Sequence, residues 1–201
     1  MRIVGLTGGV ASGKSLVLQQ FMKLGAYGID CDVLSREAVI PCSDAWWAIV
    51  RRFGTAILKQ DLELDRPKLR KIVFNDAALR TALERIIQPK VTRKMKDRIA
   101  AIEELAAADP KAIVVVDVPL LIETGMQDEF ETIIVVYVSE ATQIRRVMER
   151  DGLSQEEAQK MVALQLPLKA KLPYADFIIS NEGSPEATEQ QVRKIFTALV
   201  A

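Results

Sequence analysis

The sequence predicts an α/β protein built on a parallel five-stranded sheet. Short runs rich in Val and Ile recur along the chain, and helical patterns separate most of them, as in βαβ units. These runs cover 3–7, 27–31, 113–118, 133–138 and 176–180. A glycine-rich segment between the first run and a helical pattern supports the same class, because it marks a tight strand-to-helix turn. With 201 residues and 49% hydrophobic content, the chain is predicted to form one domain.

Helix signals lie between these strands. The first helix is predicted over 14–24, and Gly25 supplies the left-handed residue that ends it. Another helix is predicted over 140–150. Further start signals are a capping box at Ser154 and Glu157, opening a helix that reaches Gln165, and the pair Ser184-Pro185.

The segment 42–108 contains helical periodicity and no clear strand pattern. Asp65-Arg66-Pro67 is predicted to open one helix. A longer helical stretch over 79–105 is predicted to be interrupted near Gln88-Pro89, because proline lacks a backbone donor and disfavours helix in the residue before it. We interpret the segment as a helical insertion and not as a second independent domain.

Composition excludes several classes of function. Lysine plus arginine (27) equals aspartate plus glutamate (27), so no overall field favours nucleic acid or a membrane surface. No apolar run approaches the roughly 20 residues of a membrane helix, and the first residues lack a signal-peptide pattern. Two cysteines and no histidine give neither a disulfide framework nor a zinc site, so a reducing cytoplasm is the expected location. Without histidine, catalysis would use carboxylates, lysine or a metal ion.

Residues 8–15 read G-G-V-A-S-G-K-S and satisfy the pattern G-x-x-x-x-G-K-[ST] of a phosphate-binding loop. Glycines let backbone amides surround phosphate oxygens, and the following helix directs its positive end at them. Lys14 is predicted to reach the terminal phosphates of ATP, and Ser15 is predicted to bind Mg²⁺. The alternative is a glycine-rich turn without a ligand. The predicted ATP-binding residues of this loop are Gly9, Val10, Ala11, Ser12, Gly13, Lys14, Ser15 and Leu16.

Carboxylates follow two of the predicted strands, at the edge where ligands bind in parallel sheets. Asp30 and Asp32 close the second strand, and either could accept the proton of an attacking hydroxyl. For Asp32, the alternative is a cap on a helix beginning near Val33. Asp117 ends an apolar strand, which is the pattern of a metal-binding aspartate in P-loop proteins. The alternative is an ordinary aspartate at the start of a loop. No glutamate follows Asp117 directly, which argues against a motor ATPase.

Gln143, Arg146 and Arg150 share one face of the predicted helix over 140–150. This is either a solvated charged face or part of a lid whose arginines contact phosphate. Lys169 and Lys171 belong to the same lid or are ordinary exposed lysines.

Taken together, the chain resembles the dephospho-coenzyme A kinase family along nearly its whole length. The matching stretches are Gly5 to Ser15, Ile29-Asp30-Cys31-Asp32 with Arg36, Phe53-Gly54, Leu64-Asp65-Arg66 with Leu69, Val73 and Phe74, Pro119-Leu120-Leu121 with Glu123, Gln143 with Arg146 and Arg150, Gln165, Ala175-Asp176, and Asn181 with Gly183.

The resemblance implies transfer of the γ-phosphoryl group of ATP to the ribose 3′-hydroxyl of dephospho-coenzyme A. It implies that Asp32 is the base and that Lys14 and Arg146 assist catalysis. Its implied acceptor-binding residues are Asp32, Arg66, Pro119 and Leu120. Arg150 and Asn181 join the ATP-binding set. The predicted metal ligands are Ser15, from the loop pattern, and Asp117, from the strand end.

The resemblance also implies one P-loop kinase domain with three parts. The core would cover about 1–41, 109–139 and 174–201, the acceptor-binding insertion 42–108, and the lid 140–173. The expected partners are ATP and dephospho-coenzyme A, with the chain as a monomer or small homo-oligomer.

Three positions depart from the family pattern. Leu16 stands where threonine is usual, Ala11 replaces a frequent glycine, and Gln88 precedes Pro89 where histidine is usual. Because Leu16 has no hydroxyl, Ser15 is the predicted metal-binding hydroxyl of the loop. Because Gln88 is not a histidine, we predict no acceptor contact at position 88.

Three other functions compete with this interpretation. Another small P-loop kinase is disfavoured by the stretches at 64–66 and 119–121. A GTPase would need an Asn-Lys-x-Asp motif, which the sequence lacks. A non-catalytic nucleotide-binding module is disfavoured by Lys14, Ser15 and Asp32.

Overall fold

The computed structural model describes residues 1–74 and 76–201 and contains a five-stranded sheet with the strand order β2-β3-β1-β4-β5. All four strand pairs are parallel. The strands are β1 (Arg2–Gly8), β2 (Tyr27–Asp30), β3 (Ile113–Asp117), β4 (Thr132–Tyr137) and β5 (Phe177–Ser180). The predicted α/β class is confirmed, and the five predicted runs agree closely with the observed strands.

Helices connect and cover these strands. Those in the described part of the chain are α1 (Lys14–Lys23), α2 (Cys31–Ala38), α3 (Asp44–Phe53), α4 (Arg66–Phe74), α5 (Ala77–Leu105), α6 (Glu140–Asp151), α7 (Gln155–Val162), α8 (Leu168–Lys171) and α9 (Pro185–Val200). Short 3₁₀ turns cover Thr55–Ile57, Gln127–Glu129 and Leu172–Tyr174. Within the described ranges, none of the helices combines the length and apolar composition needed to cross a membrane.

The chain forms two compact units. The first comprises Met1–Asp30 and Ala101–Ala201 and contains the whole sheet. Its core joins apolar strand residues to one face each of α1 and α9. The buried members of this core are Val4, Leu6, Val17, Leu18, Phe21, Ala26, Ile113, Val115, Ile134, Val136, Ile179, Val192, Ile195 and Leu199.

The second unit comprises Cys31–Ala100 and has an apolar core of its own. Ile49 and Ile57 are fully buried there, and Trp46 is 3% exposed. The indole Nε1 of Trp46 donates a hydrogen bond to the Leu62 carbonyl at 2.8 Å, so the polar edge of this buried ring is satisfied. The division of the chain into core, insertion and lid by function stays a prediction.

Predicted helix starts are confirmed by side-chain caps. Asp65 Oδ1 accepts a hydrogen bond from the Lys68 amide at the start of α4 (3.0 Å). Ser154 and Glu157 form the complete capping box of α7. Ser184 accepts from the Ala187 amide at 3.3 Å, ahead of α9.

The predicted interruption at Pro89 is wrong, because α5 runs unbroken from Ala77 to Leu105. Proline removes one backbone donor, which leaves the carbonyl of Arg85 without its helical partner. Both Pro89 and Arg85 are exposed, so water can satisfy that carbonyl. Ile86 and Val91, on either side of the proline, pack against the core of the second unit. This tertiary packing offsets the local cost of proline, as is general for helices in folded proteins.

Candidate active site

The phosphate loop lies at the carboxyl end of the central strand β1 and leads directly into α1. Gly13 precedes the helix with a φ of 92°, and its carbonyl accepts from the amides of Leu16 (3.1 Å) and Val17 (3.2 Å). The first amides of a helix have no intrahelical acceptor, so those of Lys14 and Ser15 can bind an anion. Lys14 Nζ, at the same helix end, donates to the Gly9 carbonyl at 3.3 Å.

Each carbonyl from Gly8 to Ser12 accepts a hydrogen bond. Four of the donors are side chains from residues far along the chain. The pairs are Lys171 Nζ to Gly8 (3.2 Å), Gln143 Nε2 to Val10 (2.8 Å), Arg146 Nη1 to Ala11 (3.3 Å) and Asn181 Nδ2 to Ser12 (2.8 Å), while Gly9 accepts from Lys14 and from the Ser12 amide. The loop is therefore held through its carbonyl oxygens, which orients its peptide groups before any ligand binds.

Three glycines of the loop lie where an added Cβ would come too close to a neighbouring atom. A Cβ at Gly8 would lie 2.8 Å from the backbone oxygen of Val136. A Cβ at Gly9 would lie 2.2 Å from Gln143 Nε2, and a Cβ at Gly13 would lie 2.1 Å from Asn181 Nδ2. Ala11 has a left-handed φ of 57°, a conformation that favours glycine. A glycine would adopt this conformation without strain, so the alanine at this position has a local backbone cost.

Helix α6 supplies two of the side chains that hold the loop. Gln143 is buried, and the half-buried Arg146 also donates from Nη2 to the Asn181 carbonyl at 2.8 Å. The alternative of a purely solvated face is thus excluded for Gln143 and Arg146. The exposed Arg150 lies farther along and makes a two-point ion pair with Asp151 (2.9 and 2.8 Å), which raises the pKa of the guanidinium.

Asn181 follows β5 and is 5% exposed. Its Nδ2 donates to Ser12, and its Oδ1 accepts from Thr188 Oγ1 of α9 at 2.9 Å. Both ends of the amide are therefore fixed, which ties the loop to α9, a helix of the same core as α1.

The segment after α7 contributes two contacts that sequence patterns did not identify. Gln165 Oε1 accepts from the Val10 amide at 2.8 Å. Lys171 is fully buried and pairs with Glu123 Oε1 at 2.8 Å, so the interpretation as an exposed lysine is wrong. Gln165 and Glu123 were marked only by the family resemblance, and the sequence did not distinguish the buried Lys171 from the exposed Lys169.

Two carboxylates occupy neighbouring strand ends. Asp117 of β3 is 3% exposed and is the register partner of Asp30 on β2 and of Leu6 on β1. The exposed Ser15 lies in the first turn of α1. Hydroxyl and carboxylate oxygens are the ligands that Mg²⁺ prefers, so the predicted ligands Ser15 and Asp117 suit it in chemistry.

The predicted acceptor-binding residues Pro119 and Leu120 follow β3 and are half-buried. The Pro119 carbonyl accepts hydrogen bonds from Thr7 Oγ1 (3.4 Å) and from Lys171 Nζ (3.1 Å). Two side chains of the same unit therefore hold the backbone at Pro119.

Two predicted residues lie in the second unit. Asp32 is exposed in the first turn of α2, which begins at Cys31 and so earlier than expected. The positive end of that helix favours its carboxylate. Arg66 opens α4 and is exposed; partial burial lowers the pKa of its guanidinium, and the positive charge of Arg36 lowers it further.

The parallel sheet, the phosphate loop on its central strand and the arginine that contacts this loop define a P-loop kinase. The dephospho-CoA kinase family matches residues 2–187. The chain belongs to this family, and it is therefore a kinase of the last step of coenzyme A synthesis.

Individual proteins agree with this assignment. A dephospho-CoA kinase of Geobacter metallireducens is 44% identical over 192 residues, which are 96% of this chain and 94% of the relative. The structure of a dephospho-CoA kinase from Campylobacter jejuni has 25% identity and a TM-score of 0.65, and covers 98% of this chain and 97% of its own. A crystal structure from Thermus thermophilus has 30% identity and a TM-score of 0.77 with the same coverage.

Proposed function

We propose that this kinase transfers the γ-phosphoryl group of ATP to the ribose 3′-hydroxyl of dephospho-coenzyme A, with Asp32 as the general base. The observation that carries the nucleotide half of this proposal is the set of side chains that holds every carbonyl from Gly8 to Ser12. Such a loop holds its peptide groups in a fixed orientation, and the amides of Lys14 and Ser15 at the start of α1 can meet phosphate, whereas the Val10 amide is bound to Gln165. In phosphoryl transfer, positioning and electrostatic stabilisation carry most of the rate.

On the nucleotide side, Lys14 exchanges its weak contact with the Gly9 carbonyl for the terminal phosphates. Residues from Gly9 to Leu16 surround these phosphates. Asn181 positions the loop and lies next to the adenine ring of ATP. Arg146 holds the Ala11 carbonyl through Nη1, which fixes its guanidinium beside the loop. Its delocalised charge then stabilises the transferring group, and Arg150 assists once it leaves Asp151.

Mg²⁺ is the proposed metal ion, held by the Ser15 hydroxyl and by Asp117. Their support is the oxygen chemistry of the pair and the burial of Asp117 at the strand end. Held by these two residues, Mg²⁺ would supply positive charge that offsets the charge of the phosphates.

On the acceptor side, Asp32 orients the ribose hydroxyl and takes its proton. Arg66, close enough to Arg36 for their charges to interact, supplies positive potential for the phosphates of dephospho-coenzyme A. Pro119 and Leu120 provide apolar contact. The segment 42–108 is the proposed acceptor-binding part, and 140–173 the proposed lid.

The proposed setting is the cytoplasm, with the chain as a monomer or small homo-oligomer and no nucleic acid or membrane partner. Neither Cys31 nor Cys42 forms a disulfide, and Cys42 is exposed, which suits a reducing compartment.

The base assignment is tested with Asp32→Asn. We expect kcat with dephospho-coenzyme A to fall by about 10²–10⁴-fold while calorimetry gives unchanged ADP affinity, because the amide cannot take the proton. The matched control is Asp44→Asn, which alters an exposed aspartate of the same unit. Wild-type turnover in Asp32→Asn would exclude the base role. In a panel of acceptors, phosphorylation of adenosine monophosphate but not of dephospho-coenzyme A would exclude the proposed acceptor.

A further inference from the structure

Lys171 is a fully buried lysine whose ammonium group contacts three oxygens. Nζ lies 2.8 Å from Glu123 Oε1, 3.1 Å from the Pro119 carbonyl and 3.2 Å from the Gly8 carbonyl. An ammonium group has three donors, so these contacts use all of them. Lys171 therefore does not offer a proton to a phosphate while this arrangement holds.

Burial of this charge is unfavourable in free energy. Burial lowers the pKa of Lys171, and the Glu123 carboxylate opposes that effect only in part. A buried ion pair can often be replaced by apolar or neutral groups of similar size without loss of stability. We therefore expect the ion pair between Lys171 and Glu123 to have a function in addition to packing.

The contacts of the pair connect the phosphate loop with the segment after α7. Gly8 is the first residue of the loop, and its carbonyl is the one that Lys171 holds. Glu123 Oε1 also accepts from the Leu166 amide at 3.1 Å. The neighbouring Gln165 accepts from the Val10 amide of the same loop. One ion pair thus holds both the start of the loop and the segment that contacts its tip.

We propose that Lys171 is a positioning residue for ATP, acting through the Gly8 carbonyl, and that Glu123 serves to keep its charge in place. The proposal rests on the assignment of the loop to ATP and deepens it. Without the Lys171 donor, the first peptide of the loop loses its anchor, and the amides that follow lose their alignment to phosphate.

The test separates binding from stability with two variants. Glu123→Gln leaves the Lys171 charge without its carboxylate, so urea denaturation should show lower stability, while the Gly8 contact remains and ADP affinity changes by less than about threefold. The double variant Lys171→Met with Glu123→Gln removes both charges. It should be more stable than Glu123→Gln, yet bind ADP about tenfold or more weakly, because a charged donor to the loop is lost.

Steady-state kinetics give a second readout. In the double variant, KM for ATP should rise about tenfold. KM for dephospho-coenzyme A should rise less, because Lys171 contacts the acceptor side only through the Pro119 carbonyl. Lys194→Met, which removes an exposed lysine of α9, is the control and should match the wild type in every measurement.

Wild-type ADP affinity in the double variant would overturn the proposal. So would a lower ADP affinity in Glu123→Gln than in the double variant, because affinity would then change in parallel with stability. Calorimetry with ADP does not involve the acceptor. A failure of the wild-type chain to phosphorylate dephospho-coenzyme A would therefore count against the proposed acceptor alone, and leave the outcome for Lys171 intact.

Discussion

The two compact units carry their candidate functional residues in opposite ways. In the unit with the sheet, Gln143, Lys171 and Asn181 are buried and committed to carbonyl groups of the phosphate loop. In the unit of residues 31–100, Asp32 and Arg66 are exposed, and the core beneath them is apolar. The difference indicates that the phosphate loop is organised before its ligand arrives. For the predicted acceptor-binding residues Asp32 and Arg66, we expect the substrate itself to contribute part of their surroundings.

The largest expected effect concerns the contact between the loop and Asn181. Gly13→Ala should weaken ADP binding about a thousandfold or more, because the new Cβ would meet Asn181 Nδ2 at 2.1 Å and φ is 92°. Gly25→Ala is the matched control, since φ is 102° but nothing lies within 4 Å. It should cost about 1–2 kcal/mol of stability and leave ADP affinity unchanged. Equal ADP affinities in the two variants would contradict a loop that is organised by its packing against Asn181.

The next effect concerns the separate core of residues 31–100. Ile49→Ala should lower the free energy of unfolding by about 2–5 kcal/mol, because Ile49 is 0% exposed and its removal leaves a cavity. The two tryptophans of the chain, Trp46 and Trp47, both lie in this unit, so their fluorescence during urea denaturation reports on it. Ile40→Ala, at a position 57% exposed, is the control and should cost far less. Similar losses in both variants would contradict a packed core at Ile49.

The smallest effect concerns the departure at Ala11. Ala11→Gly should raise the free energy of unfolding by roughly 0.5–1 kcal/mol, because relief of a left-handed alanine exceeds the entropy that glycine adds to the unfolded chain. Thermal denaturation with and without ADP measures it. Ala163→Gly, where φ is −68°, lacks that relief and should instead be destabilising. A loss of stability in Ala11→Gly would show that other contacts determine the loop conformation.

The sequence predicted most of the fold because its signals are local. Alternation of apolar runs with helical patterns located the five strands, and caps such as Ser154 with Glu157 located the helix starts. It failed at Pro89, where the local penalty for proline is offset by packing of Ile86 and Val91 against a distant core. A prediction from local sequence patterns does not take account of contacts with residues that are distant in the sequence.

For the site, the loop pattern and the family resemblance identified the residues around phosphate, and they also marked Gln143 and Arg146. They did not show that Gln143, Arg146, Asn181 and Lys171 all bind carbonyl groups of one loop. These residues lie more than a hundred positions from the loop, so no periodicity or spacing relates them to it.

The sequence by itself determined a phosphate-binding loop on a parallel sheet and the family to which the chain belongs. Residue types and short spacings suffice for both, because a phosphate loop needs glycines, a lysine and a hydroxyl in fixed order. Only the tertiary structure decided how the loop is held and that Lys171 is buried beside Glu123. Hydrogen bonds of 2.8–3.3 Å depend on where the folded chain brings distant segments together.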